Sequence, residues 1–160
     1  MDVPDATLRA MTGYRIQRAA IRALARVNAA LAPLGLRRST FSALAVVADC
    51  PGLRQAQLAR ALAIERPNLV QIVDELERAG LMVREPAEGD RRAHALRATA
   101  AGRDLYARAL VRLRVVETAL TRGLAPAEMA MLHRALQVVE DNASADGGEE
   151  TQDGGKLSGA

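Results

Sequence analysis

Apolar residues recur three and four positions apart along most of this chain, and only between 81 and 98 does that rhythm give way. The first long segment spans 5–32. Ile16, Ala20, Leu24, Val27 and Leu31 share one side of its helical wheel, and Arg18, Arg22 and Arg26 the other. Pro33 and Gly35 end it. A second helix is expected from Ser39 or Thr40 to Ala48, with Phe41, Leu44, Ala45 and Ala48 inward, closed by Asp49-Cys50-Pro51-Gly52. Two short helices follow, 55–62 and 66–79, separated only by Ala63-Ile64-Glu65 and stopped by Gly80. Leu69, Ile72, Val73, Leu76 and Ala79 form the buried stripe of the second, which leaves Asn68, Gln71, Glu75 and Arg78 outside it.

The change of rhythm predicts a hairpin: strands 81–85 and 94–98 around a polar tip, Pro86-Ala87-Glu88-Gly89-Asp90-Arg91-Arg92. Thr99 has the character of an N-cap for a helix reaching 121, with Leu105, Tyr106, Ala109, Leu113, Val116 and Leu120 as its stripe. A last helix, 126–141, carries Met129, Leu132, Leu136 and Val139 on one face. Residues 142–160 are rich in Gly, Ser and acids and are expected to be a disordered acidic tail.

Composition narrows the function. The 160 residues are 49% hydrophobic and 26% charged, enough for a packed core, and no run of apolar residues is long enough to span a bilayer. The start lacks the basic-then-apolar order of a secretory signal, so the expected compartment is the cytoplasm. Charge is segregated: 21 arginines against 13 acids give residues 1–139 a net +8, whereas 140–160 carry −5. A basic body suits a polyanion. Three aromatic residues, Tyr14, Phe41 and Tyr106, are too few for a base-stacking surface.

Catalysis finds no support. Cys50 is the sole cysteine and is expected to be structural or incidental; His94 and His133 stand far apart without cysteine partners, so neither a metal nor another cofactor is expected, and the chain does not read as an enzyme.

Helix, tight join, helix and hairpin follow one another in the order of a winged helix-turn-helix, although the local pattern of 66–79 alone equally fits a small core helix with a solvated polar face. Such a fold sets one helix in the major groove and lets an arginine-bearing hairpin reach the neighbouring phosphate or minor groove. The amides of Asn68 and Gln71 carry the paired donor and acceptor that an adenine edge requires. Pro67 presets the first turn. Candidate DNA contacts are Arg54, Gln55, Gln57, Arg66, Pro67, Asn68, Gln71, Arg78 and Arg91.

The stretch Pro51–Ala59, the run Asn68–Leu81, Gly89-Asp90-Arg91-Arg92-Ala93-His94 and Thr99-Ala100-Ala101-Gly102-Arg103 together resemble the MarR family of bacterial transcriptional regulators. The resemblance extends over about 7–141, and the Asp-Arg-Arg wing with the downstream Thr-x-x-Gly is its most specific part. It implies a mainly α fold with a small β-hairpin wing: a helical dimerisation region from 5–35 and 99–141, and a winged DNA-binding domain from 36–98. It further implies that Asp90 and Arg92 brace the wing as an ion pair while Arg91 meets DNA. A small effector, an aromatic acid or phenolic, is implied in a crevice lined by Tyr14, Arg18, Ser42 and Tyr106. Two positions depart from the family pattern. Arg54 stands where Ser or Thr is common, removing a cap but adding a phosphate donor, and Ala98 replaces a common Leu.

The three long helices carry more apolar stripe than one winged domain covers, so a homodimer on an inverted-repeat operator of double-stranded DNA is expected. The leading reading is a repressor released by its ligand. A non-sensing architectural DNA-binding dimer and a helical protein-interaction module remain as alternatives.

Overall fold

A computed structural model describes residues 5–87 and 90–146, except the side chains of 87, 90–93 and 146. Its elements run α1 (Ala6–Arg9), α2 (Thr12–Leu31), a 3-10 turn (Ala32–Leu34), α3 (Arg38–Asp49), β1 (Leu53–Arg54), α4 (Gln55–Ala61), α5 (Arg66–Arg78), β2 (Met82–Ala87), β3 (Asp90–Ala98), α6 (Ala100–Leu120) and α7 (Pro126–Asp146). The fold is mainly helical with a β-hairpin wing, as the sequence predicts. The chain divides into two compact units, 1–120 and 121–160.

Within the first unit, α3 is the central element. Thr40, Ala43, Leu44 and Val47 are its buried residues. Phe41, Ala45 and Ala48 are half-buried, so the fully buried stripe is rotated from the expected one. The cause is that α3 serves two clusters. Ala43, Leu44 and Val47 join Leu58, Leu69, Val73, Leu76, Met82 and Leu96 in the winged core. Phe41 packs with Leu31, Leu36 and Ala109, alongside Val27, Leu105 and Leu113 of α2 and α6. Thr40 tolerates burial because its hydroxyl accepts from Arg37 N at 3.0 Å and donates to Arg37 O at 2.9 Å.

The expected helix 5–32 is broken. Met11 takes an extended conformation (φ −86°, ψ 125°) between α1 and α2. The Asp5 carboxylate gathers Arg9, Tyr14 and Arg18 around it, which folds the short α1 back on α2.

The wing is a three-stranded antiparallel sheet ordered β1-β3-β2, one strand more than expected. β1 pairs Leu53 with Leu96 and Arg54 with Ala95. β2 and β3 continue through Pro86 and Asp90 into the expected tip, with a register shift between Pro86 and Ala87. Pro86 is tolerated because β2 is an edge strand, where a missing N–H breaks no interior ladder.

α6 starts where Thr99 places it: Gly102 N donates to Thr99 Oγ1 at 3.0 Å, and that hydroxyl donates to Gly80 O at 2.7 Å. Of its expected stripe, Ala109 is fully buried, Leu105, Tyr106, Leu113 and Val116 are half-buried, and Leu120 is exposed. In the second unit, α7 runs through 142–146, five residues that the sequence pattern assigns to the tail. Within that extension Ser144 Oγ donates to Glu140 O at 2.8 Å. The rest of the expected tail, 147–160, lies outside the described residues.

Candidate nucleic-acid interface

The join between α4 and α5 is as tight as the sequence implies. Leu62, Ala63 and Ile64 donate their amides back to Leu58, Arg60 and Ala59 at 3.0–3.2 Å, closing α4 in place. Ala63 takes a positive φ of 49°, the left-handed turn that swings the chain into α5. Pro67 stands in the first turn of α5, where its missing N–H leaves no bond unmade.

Burial then orients α5. Leu69, Ile72, Val73 and Leu76 face the core, and helical geometry turns Arg66, Asn68, Gln71 and Arg78 to solvent. Ala79, expected in the stripe, is exposed, because the helix has ended at Arg78 and Gly80 (φ 68°) redirects the chain. Beside the outer face lies an open recess of about 400 Å³ lined by Gln55, Arg66, Pro67, Leu69 and Val70. A second, of about 330 Å³, is lined by Arg54, Gln55, Ala56, Arg66, Arg84 and His94. Arg66 borders both, and the second adds Arg54 and Arg84 with no carboxylate in its lining, a charge balance that suits phosphate.

The candidates at the start of α4 divide by role. Gln57 Oε1 accepts from Arg54 N at 2.9 Å, the reach from N3 back to the cap residue that forms one half of a capping box. With its amide turned so that Oε1 faces Arg84, Gln55 accepts from Nε at 3.0 Å and Nη2 at 2.9 Å. Both glutamines therefore have structural work, whereas Asn68 and Gln71 present exposed amides.

Sequence reasoning missed Arg84. Its Nη2 meets Asp74 Oδ1 at 2.6 Å, its Nη1 pairs with Glu77, and its backbone N donates to Glu77 Oε1 at 3.0 Å. One strand residue thus fixes the wing to α5 through two carboxylates one helical turn apart. That 74/77 spacing facing a basic strand position was the available signal. Asp90, Arg91 and Arg92 lie on β3, but their side chains fall outside the described residues, and with them the expected ion pair.

The four candidate effector contacts form separate groups. Tyr14 OH donates to Asp5 Oδ2 at 3.2 Å, Arg18 Nη1 reaches the same oxygen at 3.3 Å, and the Arg18 guanidinium lies 5.7 Å from the centre of the Tyr14 ring. The hydrogen bond from Arg9, aided by its charge, Tyr14 and Arg18, holds the Asp5 carboxyl below its ordinary range. Tyr106 OH donates to Asp49 Oδ1 at 3.0 Å, and its ring lies 6.1 Å from that of Phe41. Partial burial and then the Asp49 carboxylate raise the phenol pKa. Ser42 is half-buried on α3. None of the four lines either recess described above.

Cys50 is exposed at the end of α3, His94 pairs with Pro86 across the wing, and His133 is exposed on α7. Among the described residues no group of His, Cys, Asp or Glu is placed to hold a metal ion, and no single helix is long and apolar enough to cross a membrane.

Comparison with known proteins places this geometry. Residues 34–93 match the family model described as MarR family. The chain superposes on the transcriptional repressor CouR bound to a 23-mer DNA duplex with a TM-score of 0.81 and 33% identity, over 88% of this chain and 99% of that one. CouR from Rhodococcus jostii RHA1 bound to p-coumaroyl-CoA gives 0.78 and 30%, over 85% and 95%. A protein of Thauera aromatica ascribed a role in transcriptional regulation of the hcr operon is 38% identical over 74 residues. That match spans 46% of this chain and 45% of the relative.

Proposed function

Because this chain belongs to the MarR family of DNA-binding transcriptional regulators, we propose that it is a homodimeric repressor that leaves its operator when a small aromatic effector binds. The observation that carries the reading is α5, whose apolar side is locked in the core while Asn68, Gln71 and Arg78 face outward. Two such helices across a two-fold axis would enter successive major grooves, so the operator is an inverted repeat with half-sites about one helical turn apart. Arg54, Arg66 and Arg91 contribute phosphate contacts that set register, and the Asn68 and Gln71 amides read base edges.

The effector is an aromatic acid or phenolic, carried as its coenzyme A thioester. Support comes from the similarity to CouR, a repressor described in complexes both with DNA and with p-coumaroyl-CoA. Release requires that the ligand bind the DNA-free arrangement more tightly than the DNA-bound one. Tyr14, Arg18, Ser42 and Tyr106 are the proposed contacts of the aromatic portion.

Selecting bound fragments from the organism's own genome tests this reading. Enrichment of a palindromic site, and its loss on adding one of a panel of aromatic acids or their thioesters, is the expected result. Enrichment without palindromy removes the dimer. A palindrome indifferent to every effector leaves the architectural alternative.

A further inference from the structure

The outward side of α5 is not uniformly polar. Val70 is 41% exposed, and no other large apolar side chain of α5 is exposed. It belongs to neither hydrophobic cluster of the first unit. Leu69, Ile72, Val73 and Leu76 fill the inward side, and the helical turn sets Val70 on the flank of the outward one. There it lies one turn after Arg66 and Pro67, and Pro67 lies one turn before Gln71. Gln55, Arg66, Pro67 and Val70 share the open recess of about 400 Å³ beside this face. Helix propensity does not favour a β-branched residue at an exposed helical position, where the alanine and arginine abundant in this chain would serve better. Pro67 and Val70 therefore make an apolar step beside an exposed amide, on the helix that faces DNA.

We propose that Val70, backed by Pro67, is a specificity-determining residue that receives the C5 methyl of a thymine next to the adenine read by Gln71. The proposal rests on the reading of α5 as the recognition helix and adds a base that the amides do not choose. Valine neither donates nor accepts a hydrogen bond, so it reads only apolar features of the groove. The thymine methyl is the one such group that the base pairs present there. Arg66, in the same lining, supplies the charge for a backbone phosphate and anchors the strand whose methyl meets Val70. Cytosine in that place would turn its N4 amine toward Pro67 and Val70, which offer no acceptor, and the amine would lose its water without replacement.

The test uses the full chain and a duplex selected by it from a random-sequence library. Each thymine of that duplex is replaced in turn by deoxyuridine, which removes the methyl and keeps every hydrogen-bonding group. One position in each half-site should weaken binding about fourfold, the worth of one buried methyl group. Val70→Ala should lose about as much on the thymine duplex and should bind thymine and uracil duplexes equally. Val70→Ile, which keeps the apolar surface, should retain the preference for thymine. Such a ratio between two duplexes is untouched by a merely structural role of Val70. A duplex with no methyl-sensitive position, or a thymine preference that persists in Val70→Ala, overturns the proposal. Either result, with Gln71→Ala still losing discrimination between selected and unrelated DNA, spares the reading of α5 as the recognition helix. Val70→Ala and Gln71→Ala that both bind and discriminate as the natural chain does overturn the two together.

Discussion

At the scale of single residues, the decisive distinction is between polar side chains with structural work and those without. Gln55 and Gln57 lie near the same surface as Asn68 and Gln71, yet the first two are engaged by Arg84 and by Arg54 N. Asn68→Ala and Gln71→Ala should each cost about 1–3 kcal/mol of discrimination between operator and unrelated DNA, the size of one bidentate base contact. Competition binding on both DNAs checks this; equal losses on the two would assign the amides to phosphate or to folding. Arg91→Ala should instead weaken all duplexes and lower the slope of log affinity against log salt by about one unit. Asp5 acts on a different property. Its carboxyl is held below the usual range, chiefly by Arg9, so the docking of α1 is complete above the ordinary carboxylate pKa and is lost as pH falls through the lowered one. Amide exchange in 6–18 should accelerate over that acidic window, and Asp5→Asn should show the fast exchange at neutral pH.

At the scale of elements, the joint between wing and α6 concentrates several constraints. Thr99 caps α6 and bonds Gly80 O, and a Cβ on Gly102 would stand 2.0 Å from Leu81 O. Thr99→Ala should cost about 1 kcal/mol in denaturant unfolding, the usual value of a lost cap. Gly102→Ala should cost more, because the clash is with backbone just before β2, a carbonyl held by Thr99 N at 3.1 Å, which cannot swing aside. A smaller loss for Gly102→Ala than for Thr99→Ala would contradict this close packing. Elements of this kind were readable from sequence because their signals are local: Gly80 as a stop, Thr99 as a start, Pro67 in a first turn. What escaped depends on distant partners. β1 is two residues long and exists only because β3 pairs with it. The break at Met11 needs Asp5 to meet Tyr14 and Arg18, nine and thirteen residues away. The rotated face of α3 follows from packing on two clusters at once, which no single periodicity encodes. In the site, the outward face of α5 was legible because its inward face is strongly periodic. Arg84 was not, since its partners lie on another element.

At the scale of the whole molecule, exposed apolar surface argues for a second copy. On α7, Met131, Leu132, Leu136, Val138 and Val139 are all exposed, with Met131 at 72%. In the first unit, Ile21 of α2 and Val111 and Val115 of α6 are exposed to 61–68%. Isolated exposed apolar side chains are ordinary, but five within nine residues of one helix are a surface that water does not favour. Burial between two protomers removes that cost, at roughly 25 cal/mol per Å² of apolar area covered. On the dimeric reading proposed above, operator binding would depend on the same contact, because a lone protomer would grip one half-site and lose the gain of linking two. Leu132→Glu with Leu136→Glu should therefore shift sedimentation from dimer to monomer, with α5 and the wing still folded. Its affinity for the full operator should fall at least a hundredfold, the lower end of the gain from bivalent binding, while affinity for an isolated half-site stays the same. A double variant that sediments as a dimer would place the interface elsewhere. A monomer that still holds the full operator as tightly would show that pairing through this surface is not what sets the spacing of the two recognition helices.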